Sequence, residues 1–102
     1  MEKVNRMRPL WKVRSGEFAG WRTSDEELYN AAGKHIGYFV DDTAYTNNGH
    51  AIGEVHGEQW IGKRKTVIYP TDRQQAERSG KTAAPLPDRP GLPLAGWTDP
   101  GL

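Results

Sequence analysis

Before Pro70, apolar and aromatic residues fall in short runs broken by turn residues, and no stretch carries the 3.6-residue spacing of a helix. Such runs predict strands at about 9–14, 17–22, 27–30, 34–39, 43–46, 50–55, 58–61 and 64–69. The punctuation between them is specific. Asp41-Asp42 and His56-Gly57 suit tight hairpin tips, Gly57 supplying the positive φ that two-residue turns need. Asn30-Ala31-Ala32-Gly33 and Asn47-Asn48-Gly49 supply left-handed backbone at the start of each new segment. The pattern predicts an all-β meander of about eight short antiparallel strands.

Three copies of one motif organise the meander: GEFAGW from Gly16, GKHIGY from Gly33 and GHAIGE from Gly49, with first glycines 17 and then 16 residues apart. An internal repeat dictates architecture. The second glycine of each copy (Gly20, Gly37, Gly53) falls inside a strand, where glycine costs about 0.5–1 kcal/mol relative to alanine. The usual compensation is a bulge, a bend or the close approach of another backbone. These three glycines, with Tyr29 and Tyr45 at the repeated aromatic position, are therefore expected to be structural.

The segments GEFAGW, LYNAAGKHIGYF and AYTNNGHAIGEV resemble a small bacterial domain, the four-fold β-flower, over roughly residues 10–69. In that family four hairpin-like units of the type tyrosine, turn, Gly-x-x-x-Gly surround a pseudo-symmetric centre. The resemblance implies a four-unit flower or open barrel and carries over no catalytic residue. Its fourth unit would be EQWIGKRKTVIYP, with Trp60 standing for the tyrosine, Gly62 for the first glycine and Thr66 replacing the second.

Six of the seven prolines lie from Pro70 onward. The chain thus divides into a β-repeat domain over 1–70 and a loosely structured, Pro-rich extension over 71–102. Thr71 to Ser79 has an N-cap residue and good helix formers, enough to predict a short helix at 71–79. Leu94 and Trp97 stand out in the remainder as apolar residues able to dock back onto the body or onto a partner.

Charge changes the picture little. Ten bases stand against nine acids in residues 1–70 and four against four in 71–102, for a net charge of +1. Neither part has the field that draws nucleic acid or a charged membrane. Absence of cysteine excludes disulfides and thiolate chemistry. No apolar run reaches the length of a signal peptide core or a membrane span, so a cytoplasmic location is the expectation.

Chemistry has few candidates. Strand alternation would place His50 and Glu54 on one face with His56 in the following turn, a conceivable metal set. The simpler reading makes His50 a variable repeat position and His56 a turn residue. Asp25-Glu26-Glu27 and Asp41-Asp42 fit solvated hairpin tips better than acid-base pairs. Lys63, Arg64 and Trp60 combine bases with an aromatic ring, and Trp21 and Tyr38, after the second glycines, could form a stacking surface. The expectation is a non-enzymatic binding or interaction module without a cofactor, meeting a protein or small ligand at Trp21, Tyr38, Trp60, Lys63 and Arg64. Homo-oligomerisation stays open, and the alternative is a small metal-dependent enzyme using His50, Glu54 and His56.

Overall fold

The computed structural model describes residues 6–79 and 84–102; residues 1–5 and 80–83 of the expected body and extension lie outside them. Seven strands run in sequence order: β1 (Met7–Lys12), β2 (Phe18–Thr23), β3 (Glu27–Asn30), β4 (His35–Val40), β5 (Thr43–Thr46), β6 (Ala51–His56) and β7 (Trp60–Arg64). Each pairs antiparallel with the next, and β1 pairs with β7 to close a barrel. Because an up-and-down meander of seven strands ends in the direction it began, that closing pair is parallel, Trp11 opposite Trp60 and Lys12 opposite Ile61. Closure removes the free edges that an open sheet of this size would expose.

The repeated Gly-x-x-x-Gly is a β-bulge. Leu10 pairs with Gly20 while Trp11 pairs with Phe18, so Ala19 is the extra residue. The same step recurs where Leu28 pairs with Gly37 and Tyr29 with His35, and where Ala44 pairs with Gly53 and Tyr45 with Ala51. The extra residues there are Ile36 and Ile52. A bulge bends its strand and turns an additional side chain toward one face. Ala19 and Ile52 join Leu10, Leu28, Phe39, Ala44 and Ile61 in the barrel core, against which Ile36 packs. The interior glycines allow this crowding, since a Cβ on Gly20, Gly37 or Gly53 would overlap the carbonyl of Tyr29, Tyr45 or Gly62 on the next strand.

That series corrects the register of the fourth unit. Gly62, rather than Trp60, occupies the place of Tyr29 and Tyr45, and Ile61 joins Leu10, Leu28 and Ala44 in the core. Lacking a side chain, Gly62 leaves room that Val13 and the Trp97 ring fill, the ring 2.8 Å from where a Cβ would stand. Trp97 belongs to β8 (Trp97–Thr98), which pairs antiparallel with the end of β7. Residues 64–69, expected to form the eighth strand, instead leave the sheet at Arg64 and leave Ile68 97% exposed.

Among its described residues the extension has no helix. Residues 71–79, expected to be helical, have no regular structure and follow the barrel surface, where backbone groups bond to the turns rather than within the segment. Asp72 N–H donates to Gly49 O at 2.8 Å and Gln75 N–H to Asn47 O at 2.8 Å. Further on, Arg89 N–H donates to Gly16 O and Leu92 N–H to Val13 O, before β8 forms. Pro100 is buried and Leu102 packs against the barrel core.

Candidate functional site

Apart from Phe39, which lies in the core, the aromatic residues of the barrel strands are on its outer face. Strand pairs set Trp21 against Tyr29 and Tyr38 against Tyr45, with Trp11 against both Phe18 and Trp60. Trp11, Phe18 and Trp21 form a second buried cluster flanked by Met7, Tyr29, Ala31 and Trp60. Edge-on contacts link its rings, Phe18 lying 5.6 Å from Trp11 and 5.2 Å from Trp21. Trp21 is only 5% exposed, packed among Trp11, Phe18 and Tyr29 of the barrel itself, and Tyr38 is wholly buried, held by Asp72 and Arg73 of the extension. Neither is a free platform for a ligand.

Two Asp-Arg steps of the extension make matching contacts. At the β1–β2 turn, Asp88 Oδ1 accepts from Phe18 N–H at 2.8 Å and Trp11 Nε1–H donates to Pro87 O at 2.9 Å. The Arg89 guanidinium carbon lies 3.6 Å above the Trp11 ring, and its Nη1 donates to Gln59 Oε1 at 2.6 Å. At the β5–β6 turn, Tyr38 OH donates to Asp72 Oδ2 at 3.0 Å and to Arg73 O, while Arg73 stacks 4.4 Å above the Tyr38 ring. Tyr38 in turn stacks on Tyr45, 5.6 Å away and 20° from parallel. Burial, followed by the bond to Asp72, pushes the Tyr38 hydroxyl up to about 12, and burial raises Tyr45 as well.

Each clasp pairs a tail backbone with the first glycine of a repeat. A Cβ on Gly16 would overlap the Arg89 carbonyl, and one on Gly49 the Asp72 carbonyl. Both glycines have positive φ, 78° and 87°. The first glycine therefore serves the turn and also clears the path of the tail.

Between the clasps lies a polar knot that sequence reasoning missed. His35 and Glu27, 2% and 5% exposed, bond at 2.6 Å. His35 Nδ1 accepts from the Arg78 backbone N–H at 2.8 Å, which places the ring proton on Nε2, facing Glu27. Gln75 bridges Glu27 Oε1 and Asn47 Oδ1, each at 3.0 Å. Both nitrogens of His35 are thus engaged, and its role is to fasten the tail. A recess of about 390 Å³ lies alongside, lined by Gly33, Lys34, His35, Glu77, Arg78 and Ser79. One bulge explains why the knot was invisible: it turns His35 outward, opposite Tyr29, and Ile36 inward.

The same parity change separates the proposed metal set. The extra residue Ile52 between Ala51 and Gly53 reverses alternation along β6, so His50 and Glu54 face opposite sides of the sheet. His50 is exposed, Glu54 is held by Arg64 at 2.8 Å, and His56 packs edge-on against Trp97 at 5.3 Å. Among the described residues no three His, Asp or Glu side chains are grouped to hold a metal ion. Lys63 and Arg64 are exposed at the end of β7, where they pair with β8 rather than forming a phosphate surface with Trp60. Trp60 is half-buried beside Trp11.

Asp25-Glu26 and Asp41-Asp42 sit at the hairpin tips, where Glu26 (φ 67°) and Asp41 (φ 53°) adopt left-handed backbone, whereas Glu27, expected at the same solvated tip, is buried at the start of β3 by its bond to His35. The tips also hold an arginine inside the barrel. Arg22 is one of the few buried charges, 4.4 Å above the Phe39 ring, and it donates to Glu26, to Asp42 Oδ1 at 3.1 Å and to Asp41 O at 2.7 Å. Those partners raise its pKa against the opposing effect of burial.

No helix among the described residues is long and apolar enough to cross a membrane. No family model, curated protein or solved structure matches the chain. The class is therefore defined by the fold alone: a small all-β protein built on a closed seven-stranded barrel.

Proposed function

We propose that this protein is a non-enzymatic interaction module of the four-fold β-flower type, whose outer aromatic face binds extended polypeptide. Three bulged hairpins repeated round the barrel support the flower reading, with β7 and β8 taking the place of a fourth. The observation that carries the binding reading is the clasp at Gly16. One indole N–H, one backbone N–H and one ring face there meet a carbonyl, a carboxylate and a guanidinium of a single extended stretch, Pro87-Asp88-Arg89. Charge-assisted bonds and ring stacking of this kind read side-chain identity as well as backbone shape. In the free chain the occupant is its own tail.

Full-length protein carrying Asp88→Ala and Arg89→Ala, titrated with a synthetic peptide of residues 84–93, tests this. The reading expects saturable shifts of the Trp11 indole and Phe18 amide resonances, and none with a peptide lacking Asp88 and Arg89. Unmoved resonances at millimolar peptide would refute it.

A further inference from the structure

The stretch with the strongest strand-forming composition outside the barrel is Thr66-Val67-Ile68-Tyr69, and it is in no strand. Ile68 is 97% exposed, against 38% and 36% for Val40 and Leu86, the other exposed large apolar residues among those described. What holds the stretch is slight: Val67 N–H donates to Arg64 O at 3.4 Å across the turn after β7, Tyr69 OH accepts from Arg64 N–H at 3.0 Å, and the preceding Lys65 N–H donates to Gly96 O. A β-prone segment that lies in no strand is a template for pairing with another chain, and Ile68 adds an apolar side chain for that pairing to cover.

The position of that segment says which partner. It is the connection between the barrel, whose last strand ends at Arg64, and the first clasp, at Asp72. The described residues beyond it are held by non-covalent contacts with the barrel: Asp72 and Arg73 on Tyr38, Arg78 on His35, Asp88 and Arg89 on the β1–β2 turn, Trp97 against Gly62, and Leu102 against the barrel core. None of these depends on whether barrel and tail belong to one chain. Seven connecting residues, fully extended, reach roughly 23 Å.

We infer that two copies of this chain exchange their C-terminal extensions, each tail lying in the clasps of the other barrel, while residues 66–69 of the two copies pair antiparallel across a two-fold axis. Centred on Ile68, that pairing sets Ile68 against its own counterpart and Val67 against Tyr69 of the second copy. All tail contacts are kept, so the net gain comes from covering the connecting segment, and the exchange depends on concentration. The inference rests on the clasp reading above but is read by mass, so a failure of exchange leaves the peptide titration untouched.

The chain has no cysteine, which permits a direct test. Lys63 and Thr98 are exposed and directly opposite in the β7–β8 register, so a Lys63→Cys, Thr98→Cys variant can join barrel to tail by a disulfide. The exchange predicts, on non-reducing denaturing gels, a covalent dimer whose share grows with the concentration at which the protein is oxidised. A monomer at every concentration up to about 1 mM would overturn it. Sedimentation of the unaltered chain and of Ile68→Lys gives a second readout free of engineered bonds. Dimers in the parent, weakened at least tenfold by Ile68→Lys, support the exchange; a monomeric parent, or equal dimerisation of both, overturns it.

Discussion

The Arg89 guanidinium carbon stands 3.6 Å above the Trp11 ring, joining the C-terminal extension to the first turn of the barrel. Beside it, Asp88 takes the Phe18 amide proton. Arg89→Ala is expected to lower stability by about 1 kcal/mol, the scale of a partly exposed cation–π contact. Asp88→Ala is expected to cost about 1.5–3 kcal/mol, because it removes a charge-assisted bond to a partly buried amide. Urea unfolding of both variants measures the two values.

Gly37→Ala tests the bulged repeat. Its Cβ would overlap the Tyr45 carbonyl, a backbone group that cannot swing away. A loss of more than about 4 kcal/mol is expected, well beyond the usual range for single substitutions. Gly57→Ala is the control: nothing lies within 4 Å of its Cβ, and only the positive φ of 59° opposes it, at about 1–2 kcal/mol. Thermal melts that place the two variants together would remove the argument for crowding.

Alkaline pH should loosen the tail through Tyr38. Its folded-state pKa is pushed up to about 12 from 10, so the neutral phenol is favoured in the fold. The associated stability is fully present below pH 10 and is lost between pH 10 and 12, as the unfolded chain ionises while the folded one does not. Tyr38→Phe is expected to flatten that loss, leaving a smaller one from Tyr45, which is also raised. Stability measured from pH 8 to 12 in parent and variant checks the sign and the window.

His35→Leu takes one hydrogen bond from the buried carboxylate of Glu27, leaving it Gln75 at 3.0 Å and Arg78 at 3.6 Å, and frees the Arg78 backbone N–H. Losing a hydrogen bond to a buried charged group costs about 1.5–3 kcal/mol. Pairing the change with Glu27→Gln should recover part of the loss, since no buried charge is then left short of that bond. A double variant no more stable than His35→Leu would contradict this account of the knot.

The strand pattern was legible because the barrel is a meander, with each strand bounded by its own turn residues. The repeat was legible too, and Gly20, Gly37, Gly53, Tyr29 and Tyr45 are the structural positions it suggested. What alternation could not reveal was the bulge. One extra residue at Ala19, Ile36 and Ile52 reverses inside and outside along the strand, which parted His50 from Glu54 and turned His35 toward the tail. The extension was hidden for another reason. Its order comes from bonds to the β1–β2 and β5–β6 turns, not from any periodicity of its own, so proline-rich composition and docking onto the barrel coexist. The segment 64–69 failed as a strand because the barrel closes through β1 and leaves no neighbour for it.

Hydrogen exchange of the Phe18 amide tests most directly the claim that the barrel binds its tail through side-chain-specific clasps. Phe18 donates its proton to Asp88 Oδ1 at 2.8 Å. The account predicts slow exchange in the parent and exchange at least tenfold faster in Asp88→Ala, with the amide of Leu28 in the barrel core unchanged. An equally protected Phe18 amide in both proteins would contradict it.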